Sequence, residues 1–270
     1  MNHTITIACL QMPVIWGNEH ENLERVMEAI DGLPGGQVDM ICLPELFTTG
    51  FDYALLKGRD HGVTEEVLHV LGGKARSRNA YILAGTLPER EGERVYNTSF
   101  VIDPSGKKVA SYRKMHLFPL MGEEGFFSPG ESPLVFRTPW ARIGIAVCYD
   151  VRFSYLFLKL ALNSAQIIVV PAQFPAARID HWDTLLRARA IENQLFVVGV
   201  NRTGEDPGNR FPGHSCIIDP NGVLLAGNGE EEGWIIGSVD IGEVERARRL
   251  LPALFSGRSG SRVNNAKELC

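Results

Sequence analysis

Cys148 follows the apolar run Ile143-Gly144-Ile145-Ala146-Val147 and precedes Tyr149-Asp150 and a stretch of helical pattern. A cysteine at such a strand-to-helix turn faces the unpaired N–H groups of a first turn, whose partial positive charge favours a thiolate. Asp150 reads as the N-cap of that turn. The chemistry implied is that of a thiol nucleophile, which needs a base and a group to hold the oxyanion. Glu45, in Leu43-Pro44-Glu45-Leu46-Phe47, follows an apolar strand and is flanked by apolar residues. A carboxylate buried there suits proton transfer and requires a cationic partner. Lys114, in Tyr112-Arg113-Lys114-Met115-His116-Leu117-Phe118, offers that cation at another strand end. His116 would share the face of Lys114 on an extended backbone, so a Cys–His pair is the rival arrangement. Cys9, Cys42 and Cys216 lie in apolar strands, and Cys270 ends a polar tail. With five cysteines, no CxxC pair and no metal-ligand spacing, neither a disulfide framework nor a metal site is expected.

Positioning these side chains falls to alternating strands and helices. Thr4 to Gln11 reads as a strand, and Asn18 to Ile30 as an amphipathic helix with Leu23, Val26, Met27 and Ile30 at helical spacing. Val38 to Leu43 is a second strand, Thr64 to Arg78 a second helix, and Tyr81 to Leu87 a third strand ended by Pro88. Arg94 to Ile102 and Lys108 to Arg113 form a hairpin about Asp103 to Lys107. Strands over Leu134 to Arg137 and Ile143 to Cys148 precede a helix from Phe153 to Asn163. Ile167 to Val170, the helix Ile179 to Gln194 and Phe196 to Val200 continue the rhythm. Strands at Cys216 to Asp219, Val223 to Ala226 and Trp234 to Val239 then precede a short helix, Glu243 to Leu250. About a dozen strands in one chain favour two stacked mixed sheets covered by helices.

The 270 residues are 44% apolar and 22% charged, as in an ordinary globular protein. A net charge of −5 without a basic cluster argues against nucleic acid as a partner. The longest apolar runs, such as Leu195 to Val200, fall far short of the roughly 20 residues that span a bilayer, so no membrane partner is expected. No basic, apolar leader opens the sequence, and a cytoplasmic protein with reduced thiols follows.

The sequence resembles the nitrilase superfamily of carbon–nitrogen hydrolases. The resemblance is carried by PELFTTGF around Glu45, YRKMHLF around Lys114 and CYDVRF around Cys148, in that order and at spacings of 69 and 34 residues. ACLQM, YNTS, HWDTLLRARAIENQ and VNRTG extend it over nearly the whole chain. The resemblance implies an α/β fold, a four-layer α-β-β-α sandwich with two stacked mixed sheets. It further implies one domain over residues 1–270 and a homodimer paired through outer helices. It implies a second glutamate in the loop after the Lys114 motif, and counting seven back from Gly130 reaches Glu123, with Glu124 one place off.

By the same resemblance Cys148 attacks the substrate carbon, and Lys114 with the Tyr149 N–H meets the oxyanion. Glu45 moves the protons and Glu123 orients Lys114, with no metal or organic cofactor required. Tyr149, Phe118 and Phe174, with Phe47, are expected to wall the substrate, and Arg152, Arg178 and Arg202 are candidates for a substrate carboxylate. CYDVRF, HWDTLLRARAIENQ and VNRTG lean toward the omega-amidase branch, hence a small amide such as α-ketoglutaramate. The alternatives are an N-carbamoyl amine or amino-acid amidohydrolase, a nitrilase, a Cys-dependent acyltransferase, or an inactive interaction module.

Overall fold

A computed structural model describes residues 4–58 and 62–253; Cys270 lies outside the described residues. The strands run in chain order as β1 (Thr4–Gln11), β2 (Met40–Cys42), β3 (Tyr81–Leu83), β4 (Leu87–Glu91), β5 (Arg94–Ile102) and β6 (Lys108–Arg113). They continue as β7 (Leu134–Arg137), β8 (Arg142–Ile145), β9 (Ile167–Ala172), β10 (Phe196–Asn201), β11 (Thr203–Asp206) and β12 (Asn209–Pro212). The last are β13 (Cys216–Ile218), β14 (Leu224–Gly227) and β15 (Gly233–Asp240). The helices are α1 (Glu19–Asp31), α2 (Tyr53–Gly58), α3 (Gly62–Arg78), α4 (Ser154–Leu162), α5 (Ile179–Asn193) and α6 (Gly242–Leu250).

One sheet has the order β15-β1-β2-β3-β5-β4, with β6 also on β5; the other is β14-β13-β10-β9-β8-β7. Both are mixed: β1, β2 and β3 run parallel, as do β8, β9 and β10, and the flanking strands are antiparallel. Alternation along β1 explains the layering. Ile5, Ile7 and Cys9 point into the core shared with Ile143, Ile145, Val169 and Val198 of the second sheet, while Ala8 and Leu10 pack with Val26, Ile30 and Leu71 of α1 and α3. Leu156 and Leu160 of α4 and Trp182 and Leu186 of α5 cover the far side of the second sheet. The result is the four-layer α-β-β-α sandwich. β9 reads IIVVPA and is buried throughout, as a central parallel strand covered on both faces must be.

Three elements differ from the sequence reading. The strand expected over Tyr81 to Leu87 breaks after Leu83 at Gly85, whose φ is +46°. Pro88 lies inside β4, an edge strand, where its missing N–H need not break a ladder. The short helix α2 and the ribbon of β11 with β12 have no expected counterpart; their hydrophobic patterns are too short to register. Among the described residues no helix is long and apolar enough to cross a membrane.

Gly85 fixes the approach of the β3 end to the segment carrying Glu45. A Cβ there would stand 1.8 Å from the carbonyl oxygen of Pro44, which is backbone and cannot yield. We expect Gly85→Ala to lower stability by about 3 kcal/mol through clash and left-handed strain together. Gly35→Ala, with nothing within 4 Å of its Cβ, should stay within about 0.5 kcal/mol of wild type. Urea unfolding of both variants checks the contrast.

Candidate active site

Glu45 stands three residues past β2, Lys114 immediately past β6, Cys148 three past β8 and Gln173 one past β9. Ligand crevices in α/β sheets form at the carboxyl ends of parallel strands, and here the ends from both sheets converge. Two of the residues that make the convergence have left-handed backbones despite carrying side chains: Leu46 at φ 40° and Cys148 at φ 46°. Such strain persists only where the surroundings enforce it. Leu46 is held by its N–H bond to Thr86 Oγ1, and the Cys148 turn is held through Asp150.

The Lys114 ammonium is sealed from solvent together with two carboxylates. It donates to Glu45 Oε1 at 2.8 Å and to Glu123 Oε1 at 2.8 Å, with Glu123 Oε2 at 2.7 Å. Asn97 Nδ2 donates to Glu45 Oε1 at 2.9 Å and Glu123 Oε1 at 3.1 Å, so it ties the carboxylates to each other. The second oxygen of each is also satisfied: Gln173 N–H reaches Glu45 Oε2 at 2.9 Å, and Phe118 N–H reaches Glu123 Oε2 at 2.6 Å. Glu123 is thus the buried residue of its pair, and Glu124 is exposed.

Burial alone would draw the Lys114 ammonium down, but the charges of Glu123 and Glu45 outweigh it and hold it well above the usual lysine value. Burial raises the Glu123 carboxyl, Lys114 opposes this, and the charge of Glu45 adds to the rise. Burial pushes the Cys148 thiol well above its ordinary value, the charge of Glu45 adds to it, and Lys114 only partly offsets both. The sulfur therefore rests as a thiol, against the thiolate that the turn geometry suggested. A five-residue 3-10 turn offers a weaker dipole than the neighbouring full charges. The Gln173 carbonyl oxygen lies 3.9 Å from the sulfur.

Asp150 is not the N-cap of the turn. Val147 occupies that place, and Asp150, third in the turn, reaches back to accept the Val147 N–H at 2.8 Å. The same carboxylate accepts from the Tyr112 hydroxyl at 2.7 Å and the His116 N–H at 3.0 Å, with His116 Nδ1 at 2.6 Å. His116 stacks on Phe153 with centroids 3.6 Å apart, and its Nε2 pairs with the Tyr155 hydroxyl. Both ring nitrogens are thus engaged in buttressing the elbow, which removes the Cys–His alternative.

Phe118 and Tyr149 stand together beside the cluster, while Phe174, next to Gln173, packs its ring on Trp182. Phe118 and Tyr149 have centroids 4.9 Å apart, and the Arg152 guanidinium lies 5.9 Å from the Tyr149 ring and 5.7 Å from that of Phe174. Arg178 lies 5.7 Å from the Phe118 ring. Phe47 departs from expectation: it packs between the first sheet and its helices, away from these rings. Arg202 departs too, being fully buried and donating to Gln173 Oε1 and to the carbonyls of Val14, Thr203 and Glu205. Its role is to hold Gln173, hence Glu45.

Asn97 and Gln173 were given no role in the sequence reading. Each is a polar residue in or beside an apolar strand, within VYNTSFVI and after IIVVPA, and that mismatch is the available signal. Tyr53 on α2 also adjoins the cluster: burial raises its hydroxyl strongly, with the charge of Glu123 adding to the effect.

Residues 6–249 match the family model described as carbon-nitrogen hydrolase. A 2-oxoglutaramate amidase of Bacillus subtilis (strain 168) is 37% identical over 92% of this chain and 95% of its own length. An omega-amidase of Homo sapiens is 30% identical over 88% of this chain and 90% of its own. Among solved structures, a mutant amidase from Nesterenkonia sp. AN1 superposes with a TM-score of 0.82 at 27% identity, covering 91% of this chain and 94% of that one. In that structure the acetamide moiety of fluoroacetamide is attached covalently to the active-site cysteine.

Two outcomes follow from the buried charges. Lys114→Met should cost about 3–5 kcal/mol near neutral pH, because it strands two carboxylates. Burial and the charge of Glu45 then raise Glu123 with only the Phe118 N–H opposing them, so the folded form binds more protons than the unfolded chain. Stability should therefore be regained below about pH 4.3 and lost as pH rises, read from melting temperature against pH. Second, thiolate absorbance attributable to Cys148, taken as wild type minus Cys148→Ala, should be missing at neutral pH and emerge only above about pH 9. A difference band already present at neutral pH would contradict the resting thiol.

Proposed function

The chain belongs to the carbon–nitrogen hydrolase family and is an amidase, and from that premise we propose that Glu45, Lys114, Glu123 and Cys148 carry the reaction on a short amide bearing a carboxylate. The observation that supports this most is the sealed cluster in which one ammonium bridges two carboxylates beside the buried Cys148 sulfur. Because the sulfur rests protonated, attack on the amide carbon is coupled to transfer of its proton to Glu45. Lys114 and the Tyr149 N–H meet the oxyanion, a role in which positioned donors matter most where charge develops. The tetrahedral adduct collapses as Glu45 gives the proton to the leaving nitrogen, releasing ammonia and leaving the acyl group on sulfur. Glu45 then takes a proton from water, whose oxygen attacks the thioester, and the acid departs as the thiol is restored. Glu123 holds Lys114 and keeps its donors aimed.

The substrate class follows from the relatives named as 2-oxoglutaramate amidase and omega-amidase: α-ketoglutaramate, yielding α-ketoglutarate and ammonia. The wall of Phe118, Tyr149 and Phe174 suits a short carbon chain. The same reading has two copies paired through outer helices, where Tyr155 and Leu158 of α4 and Ile191 of α5 stand exposed.

Ammonia release from α-ketoglutaramate should be lost in Cys148→Ala while its circular dichroism stays that of wild type. The wild-type kcat/KM should exceed that for an uncharged amide of equal length at least about tenfold, the equivalent of about 1.4 kcal/mol. Equal values, or a preference for N-carbamoyl compounds, would reject the substrate and leave the four residues in place; turnover by Cys148→Ala would reject the nucleophile.

A further inference from the structure

The substrate reading above leaves open what receives the carboxylate end, and this inference rests on it. The sealed cluster holds two carboxylates against one ammonium, so a second anion entering from solvent meets an excess of negative charge. A cation outside the cluster must offset that. Three arginines lie near the site, and their partners separate them.

Arg202 is enclosed and committed to three carbonyls and Gln173. Burial lowers it to about 10, with Asp206 opposing, so it stays charged at neutral pH but has no free face to offer. Arg152 belongs to the elbow turn itself, donates to His181 Nδ1 at 3.1 Å and lies against the rings of both Tyr149 and Phe174. Arg178 differs. It ends the 3-10 turn Ala176–Arg178, on the segment that leaves β9 and carries Gln173 and Phe174. Its guanidinium lies over the Phe118 ring, half-buried, and its side chain donates to no acceptor among the described residues. Phe118 in turn gives its N–H to Glu123 and its ring to Tyr149, the neighbour of Cys148. A guanidinium packed on an aromatic face loses freedom without losing its donors, and its planar fork matches a carboxylate in two parallel hydrogen bonds.

We propose that Arg178 is the specificity-determining residue that binds the carboxylate of the amide substrate, at the rim formed by Phe118 and Tyr149. The segment from Gln173 to Arg178 then acts at two places: Gln173 fixes Glu45 by its backbone N–H, and Arg178 fixes the far end of the molecule that Glu45 serves. Binding at both ends places the amide carbon against the sulfur.

The test compares α-ketoglutaramate with an uncharged amide of equal length, in wild type and in Arg178→Gln, Arg178→Lys and Arg152→Gln. Arg178→Gln should lower kcat/KM for α-ketoglutaramate at least about thirtyfold more than for the uncharged amide, chiefly through KM. Arg178→Lys should recover part of the preference, because the charge remains while the fork is lost. A preference kept intact in Arg178→Gln, or shifted onto Arg152→Gln, overturns the assignment while the substrate class stands. An equal fall for both amides in Arg178→Gln also overturns it, marking a structural effect. A wild-type enzyme without preference for the carboxylate instead defeats the substrate reading on which this inference rests.

Discussion

One lysine ammonium, closed off from water between two carboxylates, sets the terms for the rest of the molecule. Removing any of these ions from solvent costs several kcal/mol, and the three are tolerable together only because the ammonium and all four carboxylate oxygens are met. Lys114 bridges Glu45 and Glu123, Asn97 spans the same two carboxylates, and the backbone N–H groups of Gln173 and Phe118 take the outer oxygens. Such an arrangement stabilises little by itself. It demands that four segments, far apart in sequence, arrive at fixed positions.

The two sheets meet that demand. β2 and β9 approach from opposite sheets, so the end of one delivers Glu45 and the end of the other delivers Gln173, a contact across 128 residues of chain. The left-handed backbones at Leu46 and Cys148 are local costs of turning sharply at those ends. Thr86 bonds the one, and Asp150, with Tyr112 and His116, braces the other. Gly85 and Gly130 allow backbones to pass where a Cβ would strike the carbonyls of Pro44 and Arg113. Strain, close approach and buried charge thus concentrate in one region, and the apolar layers around it hold it there.

The protonation state of the sulfur follows from the same enclosure. A turn N-terminus attracts negative charge, but its partial charges act against two whole carboxylates and complete burial. The cluster keeps the thiol neutral until a substrate arrives and Glu45 takes the proton. This avoids a standing thiolate, the form that oxidises and alkylates most readily.

Much of this was legible in the residues alone. Alternation along Thr4 to Gln11, the hairpin turn at Asp103 and the apolar runs before Glu45 and Cys148 are local signals, because side-chain period and turn chemistry depend on neighbours in the chain. The motifs around Glu45, Lys114 and Cys148 carried the resemblance to carbon–nitrogen hydrolases for the same reason. The tertiary structure alone decided that Glu123 and not Glu124 is enclosed, that Asn97 and Gln173 hold the carboxylates, that Arg202 is committed to the interior while Arg178 is not, and that the sulfur is a thiol. Each of these depends on which distant groups share a small volume, and burial and Coulomb energies are set by distance in space, which no stretch of sequence encodes on its own.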